Sequence, residues 1–346
     1  MSQKHPNQDA RRLLALAGQD LEAGDLARAA ARTSNALTAA PALPEVHEML
    51  ARLAAHPRGG RNLFPLHDPL ALATVVARAH IVAAEGDFNY ALRLLGKAQA
   101  YAPETPWADV PWVTGAATAP AIDPAIVTNL AVDLLELLSG RSPDSMRAAM
   151  SPYLQLLRNT IAAYPGHANL LGAAGYLFRR FDATEAVTYT TRADQLAPSA
   201  ASAIGLGLIY SDLGLTSEAL VAFERALSHD PGRLEVYADI CDLLLDADRL
   251  DEALTYAQRA LAIDPGHICC QIAVLAVRFR QTRTAADFDA LTGLCQAQPA
   301  GTHARRHGDS VLQSTVMKTA SRTTVLTGSP GDMLTQIRRF ARGRLD

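Results

Sequence analysis

Aromatic side chains, cysteines and long apolar runs are all scarce in this 346-residue chain. Aromatics make up 5% of a sequence that is 49% hydrophobic. The core must therefore be alanine and leucine, which suits helix-on-helix packing better than a sheet sandwich. No run of about 18 uncharged apolar residues is present to span a bilayer. Met1 to Gln19 lacks the charged-then-apolar pattern of a secretory leader, so a cytoplasmic chain with no membrane attachment is expected. Neither sign of charge dominates: 32 Lys plus Arg against 35 Asp plus Glu leave a net charge of −3. That balance offers no global basic field for nucleic acid.

Motifs of catalysis and metal binding are missing as well. There is no phosphate-cradling Gly-x-x-x-x-Gly-Lys loop, no Gly-x-Ser-x-Gly elbow and no His-Glu-x-x-His helix. An enzyme is not expected, and no cofactor. The four cysteines are Cys241, Cys269, Cys270 and Cys295. None forms a Cys-x-x-Cys pair and two are adjacent, so they read as small packing residues. A zinc or redox site using His267 would lack tetrahedral ligand spacing. His303 and His307 lie four apart and could share a helix face around a metal. Ala304-Arg305-Arg306 sets cations beside them, so a solvated basic turn without metal is the expectation.

What the chain does have is a period. Ala203, Leu206, Gly207, Tyr210, Ala219, Phe223, Ala226 and Pro231 follow a small-large-aromatic-proline spacing. Prolines 165, 198, 231, 265 and 299 recur at intervals of 33, 33, 34 and 34 residues. The next unit supplies Tyr237, Ile240, Cys241, Leu244, Ala253, Ala257, Ala260 and Pro265. The preceding one supplies Leu170, Ala173, Ala174, Leu177, Ala186, Thr190, Ala193 and Pro198, a looser fit. On these residues the chain resembles the tetratricopeptide-repeat family, whose period is about 34. The resemblance covers roughly Gln8 to Pro299. It implies an all-α fold, a right-handed superhelical solenoid of antiparallel helix pairs with a curved inner wall.

Small residues at Gly207, Ala219, Ala226, Ala253 and Ala260 let helices cross closely, while Tyr210 and Phe223 fill the wider gaps. Asp230-Pro231-Gly232 and Asp264-Pro265-Gly266 end helices. Asp182 with Glu185, and Asp248 with Asp251, are expected to cap second helices. Nearer the amino terminus, Leu13, Leu16, Ala17, Gly24, Asp25, Ala29, Ala36 and Pro41 form one degenerate unit. Val75, Ala79, Val82, Gly86, Asp87, Ala91, Leu95, Ala98 and Pro103 form another.

The expected domains follow: degenerate repeats over 8–103, a Pro- and Trp-containing insertion over 104–123, a repeat array over 124–299 with its best repeats in 200–265, and a tail or the start of a further domain over 300–346. Between the early repeats, Glu45 to Ala55 reads as a helix and Pro57 to Pro65 as a loop. Ile126 to Leu138 and Ser151 to Ala163 read as a helix pair. Ile268 to Gln298 reads as an eroded capping repeat, with Asp287 and Leu294 where small residues are usual. Beyond it, Ser314 to Leu326 alternates as a strand could, and Gly328 to Asp332 is a turn before a short basic helix, Met333 to Arg342.

The resemblance also implies where a partner would sit, since the first helix of each pair lines the concave wall. Its signature-free positions are Glu235, Asp239, Asp242 and Asp246 in one unit, and Ala201, Ile204, Leu208 and Asp212 in the one before. Four carboxylates at spacings of four, three and four share a helical face. They are either a solvated face or a groove for a peptide or protein segment with basic residues beside an apolar anchor. The family's clamp for a terminal carboxylate is absent, because its places hold Leu14, Gly18, Val76, His80, Leu171, Gly175, Ile204, Leu208, Ala238 and Asp242. Trp107 and Trp112, the only tryptophans, suggest a staple folded over the helices, or else a lid on the groove. The functional expectation is a non-catalytic scaffold or adaptor, with a homo-oligomer left open. The alternative is a regulatory or substrate-recruiting module of a larger enzyme or transcriptional system, with basic Arg338 to Arg344 leading toward it.

Overall fold

The computed structural model describes residues 6–66 and 71–320, and every regular element among them is helical. Two compact units divide between Ala197 and Pro198. None of the described helices is long and apolar enough to cross a membrane.

The first unit opens with a hairpin of α1 (Pro6–Glu22) and α2 (Leu26–Ala39), followed by α3 (Pro44–Ala55), which packs on both. A second hairpin joins α4 (Leu72–Ala84) to α5 (Phe88–Tyr101). The expected breaker-rich insertion holds a one-turn helix, α6 (Pro111–Thr114), and a 3-10 segment, Ala116–Ala121. Next come α7 (Pro124–Leu137) and the long α8 (Pro143–Ala163), which starts eight residues before its expected partner helix and runs through Pro152. The unit closes with the α9 (Ala168–Phe178) and α10 (Ala183–Leu196) hairpin. Helix α5 packs on α7 and α7 on α9, which carries the stack across the irregular stretch.

The second unit is more regular. Its hairpins are α11 (Ala200–Asp212) with α12 (Thr216–His229), α13 (Leu234–Asp246) with α14 (Leu250–Ile263), and α15 (Ile268–Thr282) with α16 (Ala285–Ala297). Ala203, Ala219, Ala226, Ala253 and Ala260 are all fully buried where helices cross. A Cβ on Gly207 would lie 2.5 Å from the Phe223 ring, so only glycine lets α11 and α12 close over that aromatic.

Two turns repeat throughout. Asp230 and Asp264 each accept from the amide two residues on, at Gly232 and Gly266, which satisfies the bend at the end of a second helix. Inside hairpins, one residue adopts a left-handed backbone and the next amide reaches back to a carbonyl five residues earlier. Gly24, Gly86 and Gly214 take this place, with φ of +79°, +91° and +73°. In the α13–α14 hairpin the left-handed residue is Asp248, φ +62°, and its carboxylate accepts from the buried Arg280 guanidinium. Asp248 is therefore not the cap of α14; Arg249 precedes that helix and gives no side-chain cap. Asp182 does cap α10, accepting from Thr184 and Glu185 amides.

The largest departure from expectation is at the carboxy-terminal end. Residues 314–320, expected to be strand-like, belong to an eighteen-residue helix, α17 (His303–Ala320). The alternation is short enough to fit either period. Helix α17 packs on α15 and α16, so the eroded repeat is covered rather than terminal. The rest of that segment, with the turn at Gly328, the basic helix Met333 to Arg342 and Arg338 to Arg344, lies outside the described residues.

Candidate binding groove

Helices α11, α13 and α15 are the first members of the second unit's hairpins. On α13, Glu235 and Asp246 are exposed while Asp239 and Asp242 are half-buried. On α11, Ile204 and Leu208 pack partly against the core and Asp212 is exposed at the end of their strip. Glu235, Asp239, Asp242 and Asp246 follow one another along α13, and Ile204, Leu208 and Asp212 along α11. The wall is not bare.

Helix α17 reaches past α15 to touch α13. Its His307 Nδ1 lies 3.2 Å from Asp242 Oδ2, and Ser314 Oγ donates to Asp246 Oδ1 at 2.5 Å. His307 is thus not part of a solvated turn: its side chain is 7% exposed. Burial disfavours its charge, but the hydrogen bond and charge of Asp242, helped by Asp239, outweigh that and raise it above the ordinary imidazole value. The contact is imperfect. Asp242 Oδ1 is buried without a hydrogen-bond partner.

His303 and His307 do share a helix face, with ring centroids 6.3 Å apart. His303 is exposed, and among the described residues no group of three potential ligands comes together to hold a metal. The four cysteines are buried and unpaired beneath this region. Cys270 is 3.2 Å from His267 Nδ1. The neighbouring Cys241 thiol, with His267 adding, pushes Cys270 down to about 7 against its burial. The same pairing raises Cys241.

In the first unit the two tryptophans act on their own helices. Trp107 is 2% exposed. Trp112 donates from Nε1 to His80 Nδ1 of α4 at 3.1 Å and lies against Phe88 of α5. This geometry staples the insertion to the α4–α5 hairpin. His80 also meets His47 of α3 edge-on at 4.7 Å. Burial, with His47 adding, holds His80 well below its ordinary value, and burial lowers His47 too.

One feature of the first unit escaped the sequence reading. An open cleft of ≈ 780 Å³ runs between α5 and α7, lined by Arg93 and Lys97 on one side and Asp133, Glu136 and Arg141 on the other. Its signal was Arg93 and Lys97 four apart on one helix, opposite an acidic pair three apart.

A tetratricopeptide-repeat family model matches residues 210–268. No curated protein matches the chain significantly. Among solved structures, a tetratricopeptide repeat protein from Parabacteroides merdae is 15% identical, with 89% of this chain and 99% of that one covered at a TM-score of 0.42. A thermophilic TPR protein of Thermus thermophilus is 19% identical over 60% of this chain and 100% of its own, at 0.38. YrrB, described as a TPR protein with an unusual peptide-binding site, is 18% identical over 54% of this chain and 92% of its own, also at 0.38. Residues 210–268 thus match tetratricopeptide repeats, and the neighbouring Gly207–Phe223 crossing and the recurring left-handed turns agree with helix-hairpin repeats in this unit.

Proposed function

We propose that this protein is a cytoplasmic scaffold or adaptor that holds a protein or peptide segment against the α11–α13 wall of its second unit. The observation that carries the reading is one helical face bearing Glu235, Asp239, Asp242 and Asp246 beside the apolar strip of Ile204 and Leu208. Carboxylates in a row select basic residues, and an adjacent apolar strip gives a partner an anchor to bury. Repeat proteins of this kind bind through extended inner surfaces rather than through a catalytic cleft. No chemistry of its own is assigned to the chain.

The test is affinity capture from cell lysate by the full chain, compared with a variant carrying Glu235→Lys and Asp239→Lys. The expected result is at least a tenfold loss of the captured partner in the variant, and a captured partner whose binding weakens with salt. Equal capture by both proteins would sink the reading.

A further inference from the structure

Helix α17 is two hairpins removed from α13 in sequence, yet it meets α13 through side chains that complement the acidic face. His307 faces Asp242, and Ser314 faces Asp246. Val311 and Leu312 between them, and Thr315 just beyond, are buried at 5%, 7% and 2% exposure. Gly308 sits where a Cβ would be 2.9 Å from Cys295 Sγ and 3.3 Å from Ile272 of α15, so that position accepts no side chain. Arg305 pairs with Asp309 of its own helix and Arg306 donates to the Gly301 carbonyl, so His307 is the cation that meets α13. Helix α17 thus packs on α15 and α16 and reaches the acidic residues of α13 with His307 and Ser314.

We infer that the face of α13 and α15 is a helix-binding groove, that α17 is its resident occupant, and that an amphipathic helix of a partner protein with the same side-chain pattern replaces it. The pattern is a cation followed directly by glycine, an apolar pair four and five residues after the cation, and a hydroxyl seven after it. This rests on the reading of the concave wall as the binding surface, and adds what kind of segment the wall takes.

The fit of α17 is deficient at one point, which leaves room for a better ligand. His307 touches a single oxygen of Asp242, and Asp242 Oδ1 stays buried and unpaired. An arginine in the place of His307 carries a planar fork of donors that can engage both carboxylate oxygens. A partner helix with arginine there satisfies the atom that the resident helix leaves orphaned.

The probe is a fluorescein-labelled synthetic peptide of residues 303–320 carrying His307→Arg, followed by anisotropy against the full chain. Binding is expected to be saturable, at least tenfold tighter to a His307→Glu chain, whose own helix is repelled by Asp242, and at least tenfold weaker to an Asp242→Lys chain. Hydrogen exchange run beside it should show α17 amides deprotected in His307→Glu while α11 to α16 keep their protection. If His307→Glu loses its helical circular dichroism, His307→Gln makes the same comparison by removing the charge alone. Equal affinity for all the chains, no binding to a chain whose α17 is deprotected, or unchanged α17 protection in His307→Glu and His307→Gln each overturns the inference. Glu235 lies outside the contacts that α17 makes through His307 and Ser314, whereas Asp239 adds its charge at His307. Failure of the peptide with capture that still depends on Glu235, read in Glu235→Lys alone, therefore removes the helix pattern and leaves the scaffold reading standing.

Discussion

Each unit of this protein buries a histidine among polar neighbours, and the two are driven in opposite directions. In the first unit His80 accepts a hydrogen bond from Trp112 Nε1 and faces a second imidazole, His47. A proton on His80 Nδ1 would confront another N–H, and burial already penalises charge, so the ring is held neutral. In the second unit His307 meets a carboxylate, and that partner outweighs the same burial penalty. Burial alone therefore says little about a histidine; whether its neighbour gives or takes a proton decides the charge.

The largest effect that would sharpen this comparison is expected in the first unit. Trp107→Ala empties a site that is 2% exposed, and a loss of about 3–5 kcal/mol in urea unfolding is expected. Trp107→Phe should cost less than about 1.5 kcal/mol, because the indole N–H has no partner to lose. A similar loss from both would mean that the indole, rather than its bulk, holds the insertion.

A smaller effect separates a glycine at a helix crossing from one in open space. Gly207→Ala in α11 drives a methyl into Phe223 and should destabilise by about 1–3 kcal/mol. Gly172→Ala in α9 meets nothing within 4 Å and should instead stabilise by about 0.4–1 kcal/mol, since alanine restricts the unfolded chain. Thermal unfolding of the two variants with opposite signs is the expected outcome, and equal signs would break the contrast.

The histidines themselves should give the smallest effect. The folded values of His80 and His47 lie below the unfolded value of 6.5, so the unfolded chain takes up protons first and the first unit weakens as pH falls below 6.5. His307 lies above 6.5 when folded, so its contribution is complete below that value and is lost as pH rises through the folded pKa. The groups facing His307 are Asp242 and Asp239 from α13, the Cys269 backbone and Cys270 from α15, and His303 from its own helix. Residue-resolved hydrogen exchange should show α4 amides opening in acid and α17 amides opening toward alkaline pH. Parallel behaviour in the two units would contradict the assignment of charge.

Much of the second unit is legible because its information is local and repeated. Prolines at 33- and 34-residue spacing mark the hairpin ends, and small residues at fixed offsets mark the crossings. Residue type alone makes Asp248 look like a cap. Its place 34 residues after Gly214 identifies it instead as the left-handed turn residue. The acidic row of α13 is visible, but its cover is not. His307 is 65 residues from Asp242, and no local pattern announces a contact at that range. Val311, Leu312 and Thr315 carry the helical spacing of α17, yet the overlapping alternation from Ser314 hides it. In the first unit the density of prolines after Pro103 conceals α6, and the 32-residue reach from His80 to Trp112 leaves no trace in the period.

Only five residues, 298–302, join α16 to α17. A tether that short confines the helix near its seat at an effective concentration on the order of millimolar. A free helix making identical contacts at micromolar levels would be outcompeted about a thousandfold. The seat consequently works as a threshold: chance encounters leave it unchanged, and only a ligand whose intrinsic affinity far exceeds that of the native helix gains entry.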